Sequence, residues 1–333
     1  MKVFQSLLGG ATVSFFAFQA LALRRRISFS DRVVLITGAS RGLGFILARD
    51  LLKEGAKVVL CARSSKELEA AQKDLEPYGP NLHIYPCDVS HENETNKMIQ
   101  YVFENFGRLD VLINNASVIQ VGPVAAMTKK NFDNIMSINF SGAINTTLAA
   151  MPRMEKTGRI INITSIGGAV AIPHLLPYVA SKFAMVGFSL GLRAELHQRG
   201  IKVVTVLPGL MRTGSFVNAL FKGRHTAEFN WFSLGASLPL ISMDAERAAR
   251  KILNAGRRGD AFLTIGLPAK LARVVYSFTP GLGADIFSLI NRTLPKSTSK
   301  HVETKLGKSI RSPKKRSRLT RLGTRAATKF REV

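Results

Sequence analysis

The sequence predicts an α/β fold: one doubly wound parallel sheet with helices on both faces. Three observations carry this. Short apolar runs such as Val33-Val-Leu-Ile36 and Arg159-Ile-Ile-Asn-Ile163 lack the alternation of a half-exposed strand, so both of their faces are expected to be buried. Helical stretches join these runs without a linker from about Asp31 to Gly266, which implies parallel crossover connections. The first run also feeds a glycine-rich turn, Thr37-Gly-Ala-Ser-Arg-Gly-Leu-Gly44. A strand, such a turn and a helix in succession make the sheet Rossmann-type.

The elements follow in order. After Val33–Ile36, residues Phe45 to Glu54 show helical spacing, and Lys57 to Cys61 is a buried strand. An amphipathic helix over Ser64 to Glu76 is closed by Pro77 and Gly79. Strands at Leu82–Tyr85 and Val111–Ile113 flank a helix through Met98 and Phe103. One long helix is expected from about Lys129 to Met154, before the strand Arg159–Ile163. A helix from Tyr178 to Gln198 leads to a strand at Ile201–Leu207. A helix near Ala245–Asn254 and a strand around Ala261–Ile265 complete the sheet.

Composition separates this core from its appendages. Of 333 residues, 46% are hydrophobic, as expected of a globular protein, but the net charge of +25 is not ordinary. The excess gathers at the ends: Arg24-Arg25-Arg26, and thirteen Lys/Arg against two Glu from Lys296 to Val333. Residues 1–30 read as an apolar segment, uncharged from Val3 to Leu23, that resembles a membrane anchor. A surface-lying helix and a cleaved signal peptide ending near Ala20-Leu-Ala22 are the other readings. Arginines directly after the apolar run place the bulk of the chain on the cytoplasmic side. The catalytic domain spans residues 31–266, an apolar extension 267–295, and a basic tail, expected to be disordered, 296–333. Cys61 and Cys87 have neither metal nor redox spacing and read as free thiols.

The glycine turn is a candidate cofactor site. Thr37, Gly38, Ser40, Arg41, Gly42, Leu43 and Gly44 follow a strand and open a helix. Glycines there let the backbone approach a pyrophosphate whose charge the helix N-terminus stabilises. About 20 residues beyond, where an acidic residue would bind the ribose of NAD, the chain has Ala62-Arg63. Arg41 and Arg63 together favour a 2′-phosphate, hence NADP(H).

The candidate chemistry lies downstream. Tyr178 and Lys182 stand one helical turn apart, in Tyr178-Val-Ala-Ser-Lys182, thirteen residues after Ser165. A phenol ordinarily ionises near pH ~10, and a fixed ammonium beside it should lower that value. With a nucleotide turn in the same chain, this points to hydride transfer between a nicotinamide and a carbonyl or alcohol.

These motifs resemble the short-chain dehydrogenase/reductase family of the Tyr-x-x-x-Lys type. The ordered set is Thr37-Gly-x-x-x-Gly42-x-Gly44, Asp88-Val89, Asn114-Asn115-Ala116, Asn139, Ser165, Tyr178-x-x-x-Lys182 and Pro208-Gly209, covering roughly Arg32 to Gly266. The resemblance implies that Tyr178 is the general acid, Lys182 lowers its pKa and holds the nicotinamide ribose, and Ser165 bonds the substrate oxygen. It further implies that Asn139 holds a relay water, Asp88 and Val89 border the adenine, and Asn115 and Ala116 line the cofactor. Pro208, Gly209 and Thr213 would border the nicotinamide, and a homo-oligomer, dimer or tetramer, is implied as well. Ser117 departs from the family's usual glycine after Asn-Asn-Ala. His174 reads as a loop residue at the pocket mouth.

The substrate flap implied over 210–243 carries Phe216, Phe221, Phe229, Trp231 and Phe232, with Glu228 its one acidic residue before Asp244. That suits a hydrophobic substrate or a membrane face, or equally a flap packed on its own domain. The extension with Val274, Phe278, Ile286 and Phe287 covers the pocket or lies on lipid. Nucleic acid is a poor partner for the tail, because Phe330 is its single aromatic. The expected function is NADP(H)-dependent oxidoreduction of a hydrophobic carbonyl or secondary alcohol at a membrane surface. The rivals are a soluble ketoreductase for small polar carbonyls and a non-catalytic, cofactor-sensing recruitment protein.

Overall fold

The computed structural model describes residues 25–296, 303–310 and 318–333. The apolar segment over residues 3–23 lies outside them. The first half of the domain comprises β1 (Val33–Thr37), α1 (Gly42–Lys53), β2 (Lys57–Ala62), α2 (Ser65–Leu75), β3 (Leu82–Pro86), α3 (Glu92–Phe106) and β4 (Val111–Asn114). It continues with β5 (Gln120–Val121), α4 (Lys129–Met136), α5 (Gly142–Ala150), β6 (Arg159–Ile163), α6 (Leu176–Glu195) and β7 (Lys202–Pro208). The flap contains β8 (Leu210–Arg212), β9 (Leu220–Phe221), α7 (His225–Ser237) and β10 (Ser242–Asp244). Then come α8 (Ala245–Arg258), β11 (Phe262–Ile265), α9 (Leu267–Phe278), α10 (Pro280–Asn291), β12 (Lys305–Leu306) and α11 (Arg321–Lys329).

Seven strands form one sheet in the order β11-β7-β6-β4-β1-β2-β3, and every neighbouring pair is parallel. The apolar runs have two buried faces, as their sequences imply. Val34, Ile36, Val58, Leu60, Val111 and Ile113 pack with α1, α2 and α8. Their alternates Val33, Leu35, Val59, Cys61 and Leu112 pack with α3, α5 and α6. From β1 the chain winds outward to β3, then returns to β4 on the other side. The crevice at that switch point, beyond the carboxyl ends of β1 and β4, is where such sheets bind ligands.

A buried polar network fixes α5 and α6 against the sheet. Asn114 donates to Asn162 at 2.9 Å and to Thr147 at 3.0 Å, and accepts from Thr146 at 2.7 Å. Asn162 donates to Ser189 at 2.9 Å, which pairs with Thr205 at 2.7 Å. Because these polar groups are buried, losing one partner strands the other, so the network specifies one register of helix on strand.

Two features depart from the sequence expectations, and between them an alternative left open for the flap is decided. The long helix over 129–154 is interrupted by a π-helical turn, Ser137–Ser141, with Asn139 in it. The flap aromatics Phe216, Phe221, Phe229 and Phe232 are buried with Val121, Leu175 and Val179, so they pack on their own domain and do not face solvent. The tail also departs from disorder over its two described stretches. β12 pairs antiparallel with β9, and Ile310, Ala326, Ala327 and Phe330 are buried. Average composition hid this, because the few apolar residues of these stretches meet two separate places, Ile310 and Ala327 the flap and Ala326 and Phe330 the core beside α1.

The extension 267–295 forms a helical hairpin, α9 and α10, in which the Tyr276 ring packs on Gly283 and Phe287. Its outer surface is apolar and open: Leu267 is 69% exposed, Phe278 82% and Leu289 63%. Among the described residues no helix is long and apolar enough to cross a membrane.

Candidate active site

The cofactor cradle is built where β1 ends. Thr37 Oγ1 accepts from the amides of Asn115 (3.0 Å) and Ala116 (3.1 Å). Asn115 Nδ2 returns bonds to the carbonyls of Thr37 (3.0 Å) and Gly38 (2.9 Å). The turn after β1 is thereby locked to the loop after β4. Gly38 has φ +63°, and a Cβ there would lie 2.7 Å from the Ala116 Cα. A left-handed residue pressed on backbone has to be glycine. These residues would hold the pyrophosphate of a dinucleotide at the N-terminus of α1.

Around the expected adenine end, Ser40 and Arg41 both donate to Glu67, at 3.2 and 2.9 Å. Arg63 is 59% exposed and reaches Asp88 at 3.9 Å. Burial pushes the Asp88 carboxyl up, but Ser90, through its hydroxyl and amide, and Arg63 outweigh it, leaving the pKa below the usual value. Val89 packs against Gly142, whose Cβ would lie 2.6 Å from the valine side chain. Leu43 is buried at the start of α1. Glu67 thus holds Arg41, and Asp88 approaches Arg63.

On the other side of the crevice, Ser165 follows β6 and accepts from the Gly167 amide at 3.0 Å. Tyr178, one residue after Pro177 in the first turn of α6, hydrogen-bonds Ser165. Lys182 lies a turn later, 2% exposed, with Nζ 3.2 Å from the Ile163 carbonyl and 5.5 Å from the Tyr178 ring centre. The three residues converge, as their spacing implies. The electrostatics differ from the expectation that Lys182 depresses the phenol. Burial raises Tyr178 above its usual value, with Ser165 opposing, and burial alone brings Lys182 down to about 7. Desolvation disfavours both charged forms.

Asn139 is committed on all sides. Its Nδ2 donates to Val118 O and Ser181 Oγ, both at 3.0 Å, and its Oδ1 accepts from Val118 N at 2.7 Å. Ser181 Oγ in turn donates to Tyr178 O at 2.7 Å. The side chain thus ties the loop after β4 to the helix bearing Tyr178, and a water held by this residue would have to sit on its main-chain carbonyl. Gly209 donates to Ile265 O at 2.9 Å, just beyond Pro208, and Thr213 is buried with its Oγ1 accepting from Ser215 N at 3.2 Å.

Two carboxylates escaped the sequence reading. Glu228, fully buried on α7, accepts from His174 Nδ1 at 2.9 and 3.0 Å and from Trp231 Nε1 at 2.7 Å. His174 is therefore a buried loop residue that anchors the flap beside α6. The signal was an isolated acid in an apolar flap. Glu332 reaches the glycine turn from the end of α11, and nothing local in the sequence announces it.

Comparison with known proteins agrees with this geometry. A family model described as short chain dehydrogenase matches residues 32–221. An SDR family protein 7-like dehydrogenase/reductase of Drosophila melanogaster is 33% identical over 273 residues, covering 80% of this chain and 81% of that protein. One from Anopheles gambiae is 41% identical over 199 residues; the match spans 57% of this chain and 62% of that relative. Among solved structures, a short-chain dehydrogenase from Streptomyces avermitilis superposes with TM-score 0.68 at 26% identity, covering 80% of this chain and 99% of that one. A mutant actinorhodin polyketide ketoreductase with NADPH gives 0.62 at 28% identity, over 71% and 96%. With the Tyr-x-x-x-Lys pair beside a nucleotide cradle at the sheet's switch point, the chain belongs to the short-chain dehydrogenase/reductase family of oxidoreductases.

Proposed function

We propose that the protein is an NADP(H)-dependent oxidoreductase that interconverts a hydrophobic carbonyl and its secondary alcohol at a membrane surface. The observation that carries the chemistry is the convergence of Ser165, Tyr178 and Lys182 at the carboxyl end of β6. Bound nicotinamide would supply or accept the hydride. Ser165 spends a lone pair on Gly167 N, and its hydrogen, directed at Tyr178 here, can turn to a substrate oxygen. Tyr178 is placed to protonate that oxygen as negative charge develops on it. A buried Lys182 near neutrality takes up a proton when a phenolate forms beside it, so the pair shares the charge change. Asn139 holds this helix in register through Ser181.

NADP is favoured over NAD by Arg41 and Arg63 at the adenine end, where guanidinium groups bind a phosphate bidentately. The NADPH in the related ketoreductase structure supports the same preference. Membrane association is supported by the exposed apolar face of α9 and α10, which carries Leu271, Val274, Phe278, Leu282, Ile286 and Leu289. An apolar surface beside the last sheet strand suits delivery of an apolar substrate. A second reading, a soluble ketoreductase for small polar carbonyls, is favoured by the burial of the flap aromatics.

Oxidation of NADPH or NADH by the purified full chain, against ketones and aldehydes of increasing chain length, tests both. Turnover with NADPH that climbs with chain length and vanishes in Tyr178→Phe supports the first reading. Turnover confined to short polar carbonyls supports the second. A biological role that survives Tyr178→Phe would make the enzyme reading secondary.

A further inference from the structure

The start of α1 has an occupant from the chain itself. The Gly42 amide, one of the backbone donors expected to face a pyrophosphate, donates to Phe330 O at 2.7 Å. Glu332 projects beside it: a Cβ on Gly42 would lie 2.5 Å from Glu332 Oε1. Asn218 Nδ2 donates to both the main-chain oxygen and Oε2 of Glu332 at 2.7 Å, and Arg41 Nε stands 3.8 Å from Oε2. Glu332 is only 7% exposed. The carboxylate thus sits among a helix N-terminus, a guanidinium and an amide, the donor set that would receive a phosphate.

The segment is seated as a unit. In α11 a Cβ on Gly323 would meet Ser237 Oγ at 2.3 Å and Phe216 at 2.8 Å, and Ala327 packs on the backbone of Gly214. Lys329 pairs with Glu246 at 2.9 Å, and Arg331 pairs with Asp74. Gly214 follows Thr213, which the family resemblance implies is at the nicotinamide end, so α11 lies along the flap while its end enters the phosphate cradle.

We propose that residues 318–333 are a built-in competitor of the dinucleotide: they occupy the phosphate-binding end of the cradle, and the cofactor binds only when they leave it. One amide cannot serve both Phe330 and a phosphate, and one volume cannot hold both Glu332 and the pyrophosphate. The surface pairs of Lys329 and Arg331 contribute little; the seat rests on the buried Ala326, Ala327, Phe330 and Glu332. The inference rests on the dinucleotide site itself, not on the choice of NADP over NAD or on the substrate.

The test compares the full chain with Gly323→Leu, which cannot seat α11, and Glu332→Arg, which keeps the α11 contacts but reverses the charge in the cradle. NADPH binding is followed by fluorescence, and trypsin cleavage after Arg325 and Lys329 by mass spectrometry, with and without NADPH. Both variants are expected to bind NADPH at least tenfold more tightly. In the unaltered chain, NADPH should speed cleavage at those two sites while slowing it elsewhere. Equal or weaker binding by the variants, or tail cleavage that NADPH leaves unchanged, overturns the proposal. Absence of dinucleotide binding in all three proteins would overturn it together with the cofactor reading, whereas equal binding in all three overturns it alone.

Discussion

Replacing Glu228 with leucine probes the flap most directly. The carboxylate is fully buried and is the shared acceptor for His174 Nδ1 and Trp231 Nε1. Leucine leaves the buried His174 donor and the half-buried Trp231 donor without an acceptor, and a stranded buried donor costs about 1–3 kcal/mol. Removing one partner of a buried pair typically costs 3–5 kcal/mol in all. We expect Glu228→Leu to lose about 3–5 kcal/mol in urea unfolding of the full chain. Glu228→Gln, whose amide oxygen can still accept from both donors, should lose about half of that. Since His174 lies two residues before the start of α6, and α7 forms the flap, the loss should also raise KM more than it lowers kcat. A Glu228→Leu protein within about 1 kcal/mol of the unaltered chain would refute the reasoning, because it would mean that His174 and Trp231 find water or other acceptors at no cost.

Other perturbations follow from the same geometry. Arg63→Ala should weaken NADPH binding about tenfold or more while leaving NADH unchanged, since a charge-assisted bond to phosphate contributes about 1.5–3 kcal/mol; Arg63 is a cleaner probe than Arg41, which also holds Glu67 and Glu332. Gly38→Ala should lower dinucleotide affinity at least tenfold and reduce thermal stability, because its Cβ would strike the Ala116 backbone, and the left-handed conformation alone costs about 1–2 kcal/mol. The folded pKa of Lys182 is depressed to about 7 from 10.5, so between those values the unfolded chain binds the extra proton, and stability should rise with pH through this window. Urea midpoints of the unaltered chain minus those of Lys182→Met should increase from pH 7 to pH 10; a flat difference would contradict the burial of a depressed lysine.

The sheet, the glycine turn and the pairing of the candidate site residues were legible in the chain, because each is written in local pattern. Runs like Val33–Ile36 are apolar throughout, which only a strand buried on both faces requires. Gly38 is demanded by one backbone angle, and the spacing of Tyr178 and Lys182 by one turn of helix. The π-turn at Asn139 was not legible, because it arises from the bonds its side chain makes to Val118 and Ser181 in distant elements. Nor was the charge balance of the catalytic pair, since desolvation depends on what packs around Tyr178 and Lys182 and not on their separation. Glu228 and Glu332 show the same limit more sharply. One is buried opposite His174, 54 residues away; the other closes on Gly42 from the far end of the chain. Composition marked residues 296–333 as basic and solvated, yet a few well-spaced small and apolar residues suffice to seat their end on the flap. Local pattern fixes what a segment can become, while long-range contacts decide which groove it fills and which charges it buries there.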